Sequence, residues 1–175
     1  MKEGIKIAIS GKSGCGNSTV SKLVAEKLDF KMINFTFRQL AEEKGMDFWE
    51  LCEKAKTDFS YDRELDRRQV EMASEGNCVL GSRLAVWMLE EADLKVFLHV
   101  SPDIRARRIQ TREGGDFEEI LKVTAARDTN DGARYKEIYD IDMDEHGFVD
   151  LVINAGNFDQ HQIADIIVKA AGLLK

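Results

Sequence analysis

One stretch near the N-terminus leaves the chain little freedom. IKIAIS (5–10) runs into GKSGCGNST (11–19), after which Val20, Leu23, Val24 and Leu28 follow at helical spacing. A strand, then G-x-x-x-x-G-x-[ST], then a helix is the arrangement in which backbone amides cradle phosphate. Gly11, Gly14 and Gly16 allow the turned backbone that points successive N–H groups inward as an anion nest. The positive end of the following helix attracts the same anion. Ser18 falls where a hydroxyl would ligate Mg²⁺. Asn17 departs from the pattern, because the standard loop has a lysine there that holds the β- and γ-phosphates and stabilises charge during transfer. An amide donates a hydrogen bond but brings no charge, and charge-assisted bonds are roughly twice as strong. By analogy with oxyanion holes, losing one such stabiliser costs ~2.7–4 kcal/mol. Lys12, at the second loop position, either replaces that charge or is a solvated loop-tip lysine.

Beyond this stretch, short apolar runs alternate with amphipathic helical patterns, which predicts an α/β fold with a parallel sheet. Further strands are expected at 32–34, 78–80, 95–100 and 150–154. Asp47 with Glu50 reads as a capping box that opens a helix through Lys56. A charged helix from about Asp62 to Glu75 is expected to stop at Gly76. Ser101-Pro102 reads as an N-cap followed by proline at the first helical position. A last helix over 159–171 puts Ile163, Ile166, Ile167 and Ala170 on one face. The polar piece 113–149 holds no strand pattern and reads as a mobile helical excursion. With 175 residues and no linker or repeat, the whole chain is expected to be one domain.

Composition narrows the function classes. A net charge of −7 disfavours broad binding to a nucleic-acid polymer. Six of the eleven arginines nonetheless lie between 105 and 134, which suggests a local site for small phosphorylated ligands. Three cysteines without CxxC spacing suit a reducing compartment, and the three histidines make no metal-ligand pattern. No apolar run is long enough to span a membrane and no leader pattern is visible, so the expectation is a cytoplasmic protein, monomeric or a weak homo-oligomer.

Taken in order, SGKSGCGNSTVSKLVAEKL, FRQLAEEKGM, DRELDRRQ, SRLAVWML, RIQTRE, RYKEIYDID and DLVIN resemble the cytidylate kinases, especially the short, archaeal-type branch. The resemblance implies a three-layer P-loop NTPase fold with a five-stranded parallel sheet, a monophosphate-binding arm at 35–76 and a helical lid at 113–145. It also implies transfer of the γ-phosphoryl of ATP, with Mg²⁺, to CMP or dCMP. Gly11, Ser13, Gly14, Cys15, Gly16, Asn17, Ser18 and Thr19 would then hold the ATP phosphates, joined by Arg108 and Arg112 at the lid base. Arg38, Asp62, Asp66, Arg67 and Arg83 match positions on the monophosphate side. Arg127, Asp131 and Arg134, at i, i+4 and i+7, match the lid motif whose arginines bridge both substrates' phosphates. NAGNF, after the last strand, is where the family holds adenine.

One segment departs from the family. Near the end of the third strand an acidic residue usually orients the metal's water shell, and here Gly81 and Ser82 stand instead. Asn17 and Gly81 leave open a nucleotide-binding sensor without turnover, whereas the lid triad points to an enzyme. A kinase for another small acceptor is a further reading. Trp87, Val86 and Leu89 are expected in the core, and Trp49 beside Phe48 in the arm. Cys15 is either an inert small residue or an oxidation-sensitive one near a helix N-terminus.

Overall fold

A computed structural model describes residues 4–174. Five strands, β1 (Lys6–Gly11), β2 (Lys31–Ile33), β3 (Cys78–Gly81), β4 (Leu94–His99) and β5 (Leu151–Asn154), form one sheet in the order β2-β3-β1-β4-β5. Every pairing is parallel. The helices are α1 (Asn17–Leu28), α2 (Phe37–Glu43), α3 (Phe48–Lys54), α4 (Ser60–Met72), α5 (Ala85–Met88), α6 (Pro102–Glu113), α7 (Phe117–Tyr139) and α8 (Gln160–Ala171).

Strand alternation sorts the core into two layers. Ile5, Ile7 and Ile9 face α1 and α8, packing with Val20, Val24, Ile163 and Ile167. Ala8 faces the other side with Cys78 and Leu80, under Ala85, Val86 and Leu89. Helices therefore cover both faces of a parallel sheet, as burial on both faces demands. A third apolar cluster, Phe35, Leu40, Ala41 and Leu51, lies among α2–α4. This gives α2–α4 a core of their own beside the sheet.

The predicted elements are present, with shifted edges. The run expected through Lys56 ends as α3 at Lys54, and Asp47 caps it by accepting from the Trp49 and Glu50 amides. The Glu50 carboxylate pairs with Lys54 rather than closing a capping box. The helix expected from Asp62 to Glu75 begins at Ser60 and ends at Met72. Along α8 the buried face is Ile163, Ala164, Ile167 and Ala171. Ile166 is solvent-exposed and Ala170 only partly covered. The polar piece after 113 is mostly one helix, α7, of 23 residues. Among the described residues no helix is long and apolar enough to cross a membrane.

Candidate active site

All strands point the same way, so their carboxyl ends share one edge, where open α/β sheets bind ligands. The Gly11–Thr19 loop leaves β1 at that edge. Gly16 caps α1 with φ of 95°, a left-handed conformation open to glycine, and no side chain occupies the helix's first amides. The loop lines a cleft of about 1020 Å³ whose far wall includes Arg38, Asp62, Asp66 and Arg83. Arg108, Arg112 and Arg127 line the same cleft. The structure thus brings most of the sequence-derived site residues to one cavity.

Asn17 lines the cleft, but its side chain is engaged within the protein. Its Nδ2 donates to the Ser82 carbonyl at 3.0 Å, and its Oδ1 accepts from Ser21 Oγ at 2.9 Å. The side chain is a strut between α1 and the end of β3. The missing acid at Gly81 has a steric reason. A Cβ there would lie 2.7 Å from Ser21 Cβ, nearer still to Ser21 Oγ, and 3.3 Å from Asn17 Oδ1. Asn17, Ser21 and Gly81 therefore fill one volume together. Lys12 lines the cleft, and its Nζ lies 2.7 Å from Asp144 in the segment after α7. Asp144 is exposed, so this pair holds Lys12 only weakly.

Two arginines support the loop from below. Arg105, 2% exposed, donates from Nη1 to the Ser13 carbonyl at 2.9 Å and forms a bidentate pair with Asp128 on α7. Arg108 donates to the carbonyls of Cys15 and Ala155, so it ties the loop to the NAGNF segment as well as lining the cleft. The arginine-rich segment is thus partly scaffolding. Arg112 pairs with its neighbour Glu113, and Arg127 is exposed toward the cleft with Asp131 3.9 Å away. Asp131 lines a small adjoining cavity rather than the main cleft and lies 3.3 Å from Arg83.

Besides Asp131, two expected residues stand outside the main cleft. Arg67 projects from the outer face of α4 onto Glu71, because α4 turns Asp62 and Asp66 inward and position 67 falls outside that stripe. Arg134 reaches α4 instead of the cleft, pairing with Asp62 and the Ala55 carbonyl while its guanidinium covers Phe59. Beside it, Tyr139 donates to the buried Asp66 carboxylate. Burial pushes the Asp66 carboxyl up to about 6 against the Tyr139 hydrogen bond, with the charge of Asp62 adding to the rise. Burial and Asp66 also raise the Tyr139 phenol, which keeps its proton. Arg38 lies 4.4 Å over the Phe48 ring, whereas Trp49 is 72% exposed and packs only edge-on to Phe48. The Trp87 ring is partly buried, edge-on to Phe97 and Phe148. Cys15 is buried beneath the loop, and burial raises its thiol, which disfavours the reactive thiolate. Asp128 and Tyr139 escaped the sequence reading because their partners, Arg105 and Asp66, are distant in the chain, and Ser21 because the Gly81 backbone it abuts is distant too.

A parallel sheet ordered β2-β3-β1-β4-β5, with a glycine-rich loop and helix N-terminus at its carboxyl edge, defines the P-loop kinase fold. Shikimate kinase from Bacteroides thetaiotaomicron superposes with a TM-score of 0.65, covering 97% of this chain and 99% of that one at 19% identity. The sequence profile of the cytidylate kinase-like family matches residues 6–157, and the chain belongs to that family. Its relatives include cytidylate kinase 2 of Borreliella afzelii (strain PKo), 43% identical over 167 residues that cover 93% of this chain and 94% of the relative. The cytidylate kinase of Archaeoglobus fulgidus is 42% identical over 174 residues, covering 98% and 97%. By fold and family the chain is a kinase.

Proposed function

We propose that the protein transfers the γ-phosphoryl of ATP to CMP or dCMP. One observation carries the reading: the phosphate loop and the α2–α4 wall face each other across a single cleft, with arginines between them. In this reading 35–76 is the monophosphate arm and 113–145 the lid. ATP phosphates take the loop amides and the α1 N-terminus, while Arg38 and Arg83 hold the acceptor phosphate. One of the two α4 carboxylates, Asp62 or Asp66, accepts one N–H of the exocyclic amine of cytosine, which leaves the amine's second N–H for another acceptor. Arg127 stabilises the charge that spreads over equatorial oxygens in the transition state. Lys12 leaves Asp144 to supply the charge that Asn17, held as a strut, does not.

The residues also fit a magnesium ion arriving with ATP. Ser18 is exposed at the α1 N-terminus along the cleft, and the buried Ser82 hydroxyl has no hydrogen-bond partner among the described residues. Mg²⁺ keeps several waters and is bound through few protein groups plus substrate phosphates, so this sparse set suffices. When bound, it would neutralise charge on the β- and γ-phosphates. Arg134 and Tyr139 would hold arm and lid together around the acceptor, which excludes water as a competing nucleophile.

An ADP-release assay with Mg-ATP against a panel of nucleoside monophosphates tests the proposal, alongside calorimetric titration of ATP and CMP. Turnover with CMP and dCMP above other acceptors is expected. Binding of both nucleotides without turnover for any acceptor would refute transfer.

A further inference from the structure

The inner face of α4 carries three acceptor side chains along the cleft, Asp62, Asp66 and Gln69, at i, i+4 and i+7. All are buried, at 6%, 9% and 4% exposure. Asp62 is met by Arg134, and Asp66 by Tyr139. Gln69 differs: its Oε1 is buried and has no hydrogen-bond partner among the described residues. Turning the amide over gives no relief. Nε2 donates to the Phe35 carbonyl at 2.8 Å, and a flipped amide would set oxygen against oxygen there. The orientation is therefore fixed by chemistry, and an acceptor is held out of water without a donor. Such groups are expensive to leave unmade, and in a ligand cleft a donor on the bound ligand would satisfy one.

We propose that Gln69 Oε1 accepts a hydrogen bond from the exocyclic amine of the acceptor base, so that Gln69 selects an aminopyrimidine over uracil. Uracil presents a carbonyl oxygen at the same ring position, which would face Oε1 acceptor to acceptor. Phe35 and Leu65, beside Gln69 on the cleft wall, supply apolar surface for a flat ring. The assignment rests on the reading of the cleft as a monophosphate kinase site and adds the residue that discriminates among its substrates. A ribose hydroxyl is the other donor a nucleotide carries, and comparison with the deoxy substrate separates the two.

The test is kcat/KM for CMP, dCMP and UMP with Mg-ATP, and calorimetric affinity for CMP and UMP, in the wild type and Gln69→Met. Methionine keeps the length and removes the acceptor. Gln69→Met should lower the CMP/UMP and dCMP/UMP ratios by about 10–100-fold. Equal losses for CMP and UMP would overturn the proposal and reduce Gln69 to a tether for Phe35. A loss with CMP but not dCMP would overturn the base assignment in favour of the 2′-hydroxyl. If Gln69→Met fails to fold, Gln69→Asn withdraws the amide by one methylene and must show the same selective loss, an equal loss again overturning the proposal. If the wild type phosphorylates no monophosphate, the kinase reading fails, and the calorimetric preference for CMP over UMP, lost or kept in Gln69→Met, still decides the role of Gln69.

Discussion

Replacing Gly81 by alanine tests whether the phosphate loop is built around Asn17. The backbone at Gly81 is not in the left-handed region, so alanine adds no conformational strain there. Its Cβ would instead meet the Ser21 side chain, 2.7 Å from that residue's own Cβ and closer to its Oγ. Both Cβ atoms are fixed by backbone in the core between α1 and β3, so neither can swing away. Overpacking of this kind costs about 1–3 kcal/mol. For a chain of this length that is a fall of ~2–12 °C in Tm, at about 2–4 °C per kcal/mol. Ser21→Gly removes the obstacle and also the hydrogen bond to Asn17, at about 1 kcal/mol for the bond plus up to ~1 for glycine within a helix. Urea unfolding of the wild type, both single variants and the double variant completes a mutant cycle. Gly81→Ala should cost less than about 0.5 kcal/mol in the Ser21→Gly background, if relieving the clash restores independent sites. An equal cost in both backgrounds would refute the shared-volume argument.

Two further outcomes follow from the site. A carboxyl raised to about 6 from 3.8 favours the folded state while protonated, so the stabilising contribution of Asp66 is full below 3.8 and is lost as pH rises through about 6. The gap corresponds to roughly 3 kcal/mol at 1.36 per unit; Asp66→Asn should gain on the wild type by about that much in urea unfolding between pH ~4 and ~7, and parallel pH curves for the two proteins would reject the assignment. Lys12→Ala should lower kcat by about 10²–10³-fold, the scale of one lost transition-state donor, while Asp144→Ala leaves kcat intact. Small, equal effects of Lys12→Ala and Asn17→Ala on ADP release would reject Lys12 as the source of charge.

The sequence showed best what is decided locally. Gly14 and Gly16 both take positive φ, and the loop they form is a property of a few adjacent residues. The Asp62–Asp66 stripe on α4 was visible from helical periodicity together with the family resemblance. Periodicity alone did not fix which edge of a stripe makes contact, so Ile166 was placed inward, whereas α8 buries Ala164 instead. Arg134 was read by its lid spacing, yet its partner Asp62 lies 72 residues away and the Asp66–Tyr139 bond spans 73. No local signal marks such a pairing. The same holds for Ser21, an unremarkable helix serine until the end of β3 is laid against it.

The Asn17 strut also says something about how such a loop changes over time. Asn17, Ser21 and Gly81 occupy one space, so a lysine at 17 leaves Ser21 and the Ser82 carbonyl without their partner, and an acid at 81 collides with Ser21. Reaching the lysine-and-acid arrangement therefore means clearing Ser21 first, at a cost in stability, before position 81 can take a side chain without a clash. The three positions are coupled, and a change at any one of them has a cost set by which residues stand at the other two.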